Sequence, residues 1–225
     1  PLKHSPCQAA LKLFILSTLF ILSACNSHSN SEQAPVYTSG SAIKGIIENG
    51  IVKAYNVSVD PEKLIAETRT KKDGSFLLAL PEQAQTDIIL FELSTDELTS
   101  MRCDLLVGCI EHTSGQLIEF GQAVELPQHF KLLGTLGQNK SVFISPLSHI
   151  ILSTALNLPK GLTPQNISIT SQWLMQTLNL EANPLDTKTA DITSLIKTDL
   201  ALINNSELTE EQLKQGIFSA SLYNE

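Results

Sequence analysis

From residue 42 onward, apolar positions come in short stretches that alternate with polar ones and break at turn residues. This period-two pattern predicts β-strands. Residues 42–47 and 51–57 flank Asn49-Gly50, the pair that most often closes a two-residue hairpin. Such a turn pairs Ile47 with Val52 and Gly45 with Ala54, and turns Lys44, Glu48, Lys53 and Tyr55 to the opposite face. A layered arrangement would instead send the two strands to different sheets. Residues 64–70 and 75–80 flank Lys71-Lys72-Asp73-Gly74, a longer hairpin loop with Gly74 available for positive φ. Phe76, Leu78 and Leu80 then alternate inward. Asp73 reads as a turn residue, because no Asp-x-Asp spacing for calcium accompanies it. The run at 87–93, DIILFEL, is apolar without alternation, as expected of a central strand covered on both faces. Residues 117–126 and 130–133 supply the closing strands.

Past Val142 the period changes to that of helices. Ser145-Pro146 gives an N-cap with proline in the first turn, followed by Leu147, Ile150, Ile151, Thr154, Ala155 and Leu158 on one face. Thr163-Pro164 repeats the signal ahead of Ile167, Ser171, Leu174 and Leu178, and Trp173 is expected to join that face in the core. Thr193 is read as the cap of a third helix carrying Ile196, Leu200 and Ile203. Thr209 with Gln212 forms a capping box, stapled by Leu208 and Leu213, for a fourth helix with Leu213, Ile217 and Ala220 as its buried stripe.

Composition adds limits. With 225 residues, about 150 per domain suggests one or two domains. Hydrophobic residues at 42% exclude intrinsic disorder, and aromatics at 5% mean an aliphatic core. Against 15 Lys and Arg stand 23 Asp and Glu, a formal charge of −8. Nucleic acid is therefore not an expected partner.

The N-terminus carries an address. Residues 13–24, LFILSTLFILSA, form an apolar run preceded by Lys3, His4 and Lys12. A membrane-spanning helix takes about 20 residues, so the run suits a secretory signal instead. It ends Leu22-Ser23-Ala24-Cys25, which resembles the lipobox of bacterial lipoproteins. The resemblance implies that residues 1–24 are a signal peptide, that Cys25 receives lipid, and that the new N-terminus is acylated. At about 0.8 kcal/mol per buried CH₂, two or more chains anchor a protein stably. Asn26 follows the cysteine where Asp would mark inner-membrane retention, so the expected location is the cell envelope, lipid-anchored in the outer membrane. Loss of Lys3 and Lys12 leaves 13 basic against 23 acidic residues, a formal charge of −10. Residues 25–40 read as a polar flexible tether of roughly 20 Å, with His28 solvated within it. The absence of an initiating Met suggests a piece of a longer reading frame.

The segments GSAIKGIIENGIVKAY, ETRTKKDGSFLLALP and DIILFEL together resemble a carboxypeptidase-regulatory-like domain, a transthyretin-like β-sandwich. Gly45, Val52, Tyr55, Asp73-Gly74, Phe76 and Pro81 carry that resemblance. Met101-Arg102-Cys103-Asp104 with Gly108-Cys109, and the later stretch beginning SPLSHIILSTAL, are similar to segments that follow such domains in bacterial envelope lipoproteins. The expected fold is α+β: an N-terminal transthyretin-like antiparallel β-sandwich over 41–135, then a small helical region over 140–225. The resemblance implies no peptidase activity.

Candidate chemistry is sparse. Cys7 leaves with the leader and Cys25 takes lipid, leaving Cys103 and Cys109 as an even pair in an oxidising compartment. A disulfide there closes a short loop, worth about 2 kcal/mol. A metal site of Cys103, Cys109 and His112 lacks both the usual Cys spacing and a fourth ligand. His129 and His149 stand alone. Ser145 and His149 are four apart, but no Gly-x-Ser-x-Gly turn exposes the serine. The acidic pairs Asp96-Glu97 and Glu210-Glu211 look exposed, and no phosphate-binding loop is present. No catalytic residue, metal or cofactor is expected. The expected function is that of a non-catalytic, lipid-anchored envelope protein that binds or scaffolds, working through the loops around Cys103 and Cys109. Its partners would be the membrane, through Cys25, and an envelope protein or polymer. The alternative is a polysaccharide- or peptidoglycan-binding module, for which Trp173, Tyr37, Tyr55 and Tyr223 are the aromatic candidates outside the Phe set.

Overall fold

The computed structural model describes residues 35–59, 62–82, 86–195 and 208–222. The expected signal peptide, Cys25, the tether up to residue 34, Tyr223 and the third-helix positions Ile196, Leu200 and Ile203 lie outside them. The strands are β1 (Val36–Ala42), β2 (Ile47–Glu48), β3 (Ile51–Asn56), β4 (Lys63–Arg69), β5 (Ser75–Leu80) and β6 (Ile89–Ser94). They continue as β7 (Ser100–Arg102), β8 (Cys109–Ile110), β9 (Leu117–Ile118), β10 (Ala123–Glu125), β11 (Lys131–Thr135) and β12 (Val142–Ile144). Helices α1 (Pro146–Leu156), α2 (Pro164–Leu178), α3 (Ile192–Leu195) and α4 (Glu210–Ser221) follow. The chain is thus α+β, with strands first and helices after. The sheets run β12-β1-β5, β11-β6-β3-β4, β10-β7-β2 and β8-β9.

The four-stranded sheet is a middle layer, which explains why DIILFEL does not alternate. On β6, Ile89, Phe91 and Leu93 enter one core with Leu132 of β11, Val52 of β3, and Phe76, Leu78 and Leu80 of β5. Leu90 and Leu133, pointing the other way, enter a second core with Leu147, Ile151 and Leu152 of α1 and Leu174 of α2. Side chains alternate across a strand, so a strand between two cores must be apolar at successive positions.

Several expectations are corrected. Asn49-Gly50 does not close a hairpin: β2 pairs with β7, whereas β3 pairs with β4 and β6. Asn49 does take a left-handed conformation, φ 59°, but Thr70 occupies the inside of the bend. Gly50 N donates to Thr70 Oγ1 at 2.9 Å, and Thr70 Oγ1 donates to Ile47 O at 2.7 Å. Thr70 N also donates to Gly50 O, and Asn49 N to Thr70 O. A buried residue thereby holds the chain at a corner between sheets. The loop at 71–74 is a tight turn as expected, with Ser75 N and Oγ donating to Asp73 Oδ1 at 3.0 and 2.6 Å. Those bonds hold the Asp73 carboxyl below its usual range. Its flanking strands nevertheless join different sheets, β4 beside β3 and β5 beside β1.

The strand region is also longer than 41–135. β1 begins at Val36, inside the expected tether, with Tyr37 opposite Ala79 and Gly40 opposite Phe76. β12 lies beyond residue 135 and runs parallel to β1, so the sheets are not wholly antiparallel. The cause is the turn closed by Gly137 N to Ser141 O, which reverses the chain after β11 and lays β12 along β1 in the same direction.

The helix starts form as read. Ser145, Thr163 and Thr209 each cap with their side chains, and Gln212 completes the box with Thr209. In α3 it is Asp191 Oδ1 that accepts from Thr193 N and Oγ1, so Asp191 is the cap and Thr193 lies inside the helix. Trp173 is 52% exposed rather than core, because α2 turns its Thr170-Ser171-Leu174 face inward. Ala220 is buried as expected, but Ile217 is 56% exposed, and α4 buries Gln215, Gly216 and Ser219 beside Ala220. Small residues are required there: a Cβ on Gly216 would come within 2.6 Å of Ala190 O.

Thr70→Val should lose about 1–3 kcal/mol in urea unfolding, because it leaves Gly50 N–H and Ile47 C=O unpaired in the interior. Thr70→Ser should keep most of that stability.

Candidate functional site

The site starts from a lysine that the alternation places on the wrong side. Ile43 and Ile46 bridge across a tight turn at Lys44-Gly45, so the expected strand over 42–47 is interrupted and Lys44 swings inward. Gly45 has φ 57°, and a Cβ there would lie 1.9 Å from Arg102 O. Only glycine fits. Lys44 is 1% exposed, among the largest of the fully buried side chains. Its Nζ donates to Asp104 Oδ1 and Oδ2 at 2.9 and 3.1 Å and to Ala220 O, at the C-terminal end of α4, at 3.1 Å. Three ammonium protons thus meet three acceptors, one of them at the negative end of a helix dipole. Burial pushes the Asp104 carboxyl above its usual range, and Lys44 opposes that shift.

Asp104 is held in place by its neighbour. Cys103 and Cys109 stand at disulfide distance, S–S 2.11 Å with Cα atoms 5.6 Å apart. Cys103 N donates to Gln122 O, Gly121 N to Cys103 O, and Gly108 N to Leu105 O within the loop. The loop is fixed at both ends.

Beside it opens a cavity of about 630 Å³. Its apolar walls include Met101, Leu105, Val124, Leu126 and Phe130, and Lys44 contributes to the lining. The loop and the β8–β9 hairpin leave Leu106, Val107, Ile110 and Leu117 exposed, Val107 at 84%, and Val107 and Ile110 also line the cavity. Ile110 and Leu117 are cross-strand partners. Glu111 and Glu125 also line the cavity.

The remaining candidates have structural roles or stand apart. The rings of His112 and His129 meet edge to face at 6.3 Å, a pairing that sequence separation concealed. They line a neighbouring cleft of about 420 Å³ with Glu125, Asp96 and Glu97, and His112 lines the larger cavity as well. Among the described residues no group of three His, Cys, Asp or Glu side chains is placed to hold a metal. His149 is half-buried on α1, and burial lowers its pKa. Ser145 is fully buried, and its Oγ accepts from Ser148 N as the helix cap. Asp96 is engaged by Arg69, Nη2 to Oδ2 at 2.5 Å and Nη1 to Oδ1 at 3.2 Å, while Arg69 Nη1 also donates to Asn49 O. That guanidinium, with Thr99, lowers the Asp96 pKa to about 2. Sequence reading missed Lys44, Met101, Val124 and Phe130 as site residues. A lone Lys between apolar neighbours, in AIKGII, was the signal available for the first.

Lys44→Met should cost about 3–5 kcal/mol in chemical unfolding, since it leaves Asp104 buried without its cation. The deficit should narrow as pH falls and the carboxyl becomes neutral. Lys44→Met combined with Asp104→Leu should recover most of the loss. Asp96 stabilises the fold as a carboxylate, so its contribution is complete above 3.8 and is lost as pH falls through about 2. Asp96→Asn should flatten the acid limb of the stability curve over that window.

No family model matches the chain, and no curated protein matches it. Among solved structures, a 9R-lipoxygenase from Cyanothece PCC8801 aligns with 50% of this chain at 9% identity and a TM-score of 0.25. The chain spans 16% of that enzyme's length. A likeness at this level carries no argument about fold or activity.

Proposed function

We propose that the chain is a non-catalytic, lipid-anchored module of the bacterial cell envelope that binds a partner through the cavity beside the Cys103–Cys109 loop. The observation that carries this reading is the apolar cavity opening among exposed aliphatic side chains on a loop closed by a disulfide. Exposed apolar surface of this kind marks interaction sites, and a loop fixed before binding loses little entropy on it. The anchor is Cys25, read from the lipobox at Leu22-Ser23-Ala24-Cys25. The scaffold is read as a transthyretin-like sandwich. In support, Ala42, Phe76, Leu78 and Val142 from one sheet share a core with Val52, Phe91, Leu93 and Leu132 from another. The parallel β1–β12 pair departs from an all-antiparallel version of that scaffold.

A second reading, a polysaccharide- or peptidoglycan-binding module, is favoured by the exposure of Tyr37 and Trp173. They stand on β1 and α2, separate elements, whereas the cavity gathers its features in one place.

Cys25→Ala should abolish acyl labelling and release the protein from the membrane fraction. A photoreactive residue at position 107 should form discrete adducts in intact cells that one at exposed Leu64 on β4 does not. Unchanged fractionation would overturn the anchor, and indistinguishable adducts would overturn the surface.

A further inference from the structure

We infer that the cavity beside the disulfide takes an extended protein segment in which a large apolar residue is flanked by Lys or Arg. This rests on the reading above that the cavity is the binding surface, and it adds the chemistry of the occupant. Three independent features converge.

First, the apolar walls formed by Met101, Leu105, Val124, Leu126 and Phe130 suit an aliphatic or aromatic side chain, and the volume exceeds what one such side chain fills. Second, the charge at the lining is uncompensated and negative. Lys44 is already neutralised by Asp104, which leaves Glu111 and Glu125, with His112 as the other titratable side chain of the lining. Glu111 Oε2 accepts from Ser114 Oγ at 2.5 Å and Glu125 Oε2 from Thr113 Oγ1 at 3.1 Å. Among the described residues neither carboxylate has a cation within ion-pair distance. A cationic group on the occupant would complement both, and the chain's net charge of −8 acts in the same sense at longer range. Third, among the described residues β8 and β9 form a sheet of two strands with no third. Each therefore keeps an outer edge of main-chain groups to which an extended segment can add. An acyl chain would use the first feature alone; a basic, apolar peptide uses all three.

The test is selection of a random peptide library displayed on phage against the full-length, periplasmically produced protein, with V107D/I110D selected in parallel. Both substituted positions are exposed, so that variant should fold, which circular dichroism checks. Enriched sequences should carry a large apolar residue with Lys or Arg beside it. A synthetic peptide of the consensus should bind more tightly at low salt. Its Kd should rise about fivefold in E111Q/E125Q, as expected for losing two rim charges. In V107D/I110D the rise should reach about thirtyfold or more. Enriched peptides that lack basic residues and ignore E111Q/E125Q would overturn the assigned occupant while leaving the cavity as a binding surface. Dodecylphosphocholine binding in the cavity with no peptide enriched would also overturn it. Peptides that bind V107D/I110D unchanged, or no binding of either probe, would overturn the occupant and the surface together.

Discussion

One buried ammonium ties together a turn, a loop and the end of a helix. Lys44 comes from the turn after β1, Asp104 from the disulfide loop, and Ala220 from the end of α4, and they meet within 3.1 Å. Buried charges of this kind are costly to desolvate, so the arrangement adds less to stability than its geometry suggests. Its effect is on specificity of placement. Displacing any one of the three groups leaves a charge or a carbonyl unpaired in the interior, so the loop and the helix must sit where they do.

The disulfide and the ion pair therefore act on the same few residues. Cys103 is fastened by its sulfur and by main-chain bonds to Gly121 and Gln122, and Asp104 by Lys44. Leu105 packs against the core, and the tip of the loop turns Leu106 and Val107 outward. A rigid base with an apolar rim can present those side chains without the loop collapsing over its own cavity. The carboxylates of Glu111 and Glu125 then give the opening a sign.

Much of the architecture is legible in the sequence because the relevant forces are local. The caps at Ser145, Thr163 and Thr209 depend on residues within three positions, and the turn at Asp73 on Ser75 two positions away. The unbroken run in β6 announces two buried faces. What stays hidden depends on distant partners. Asn49-Gly50 carries a hairpin signal, yet Thr70 supplies the deciding hydrogen bonds from 20 residues away. β1 is polar in sequence, and only its place between β5 and β12 makes it a strand. Ile217 turns outward and Gly216 inward because Ala190 approaches α4 too closely for a side chain. Lys44 reads as a surface residue until Asp104 and Ala220 are in place.

The contact between Lys44 and Ala220 spans 176 residues. Loop closure over that distance is entropically slow to begin and contributes nothing until both ends are ordered. Lys44 gains its third acceptor, Ala220 O, only when α4 docks. A contact that forms after the transition state governs how fast the finished molecule opens far more than how fast it forms. It acts as a latch on the lifetime of the native state, closed after the rest of the chain has found its place.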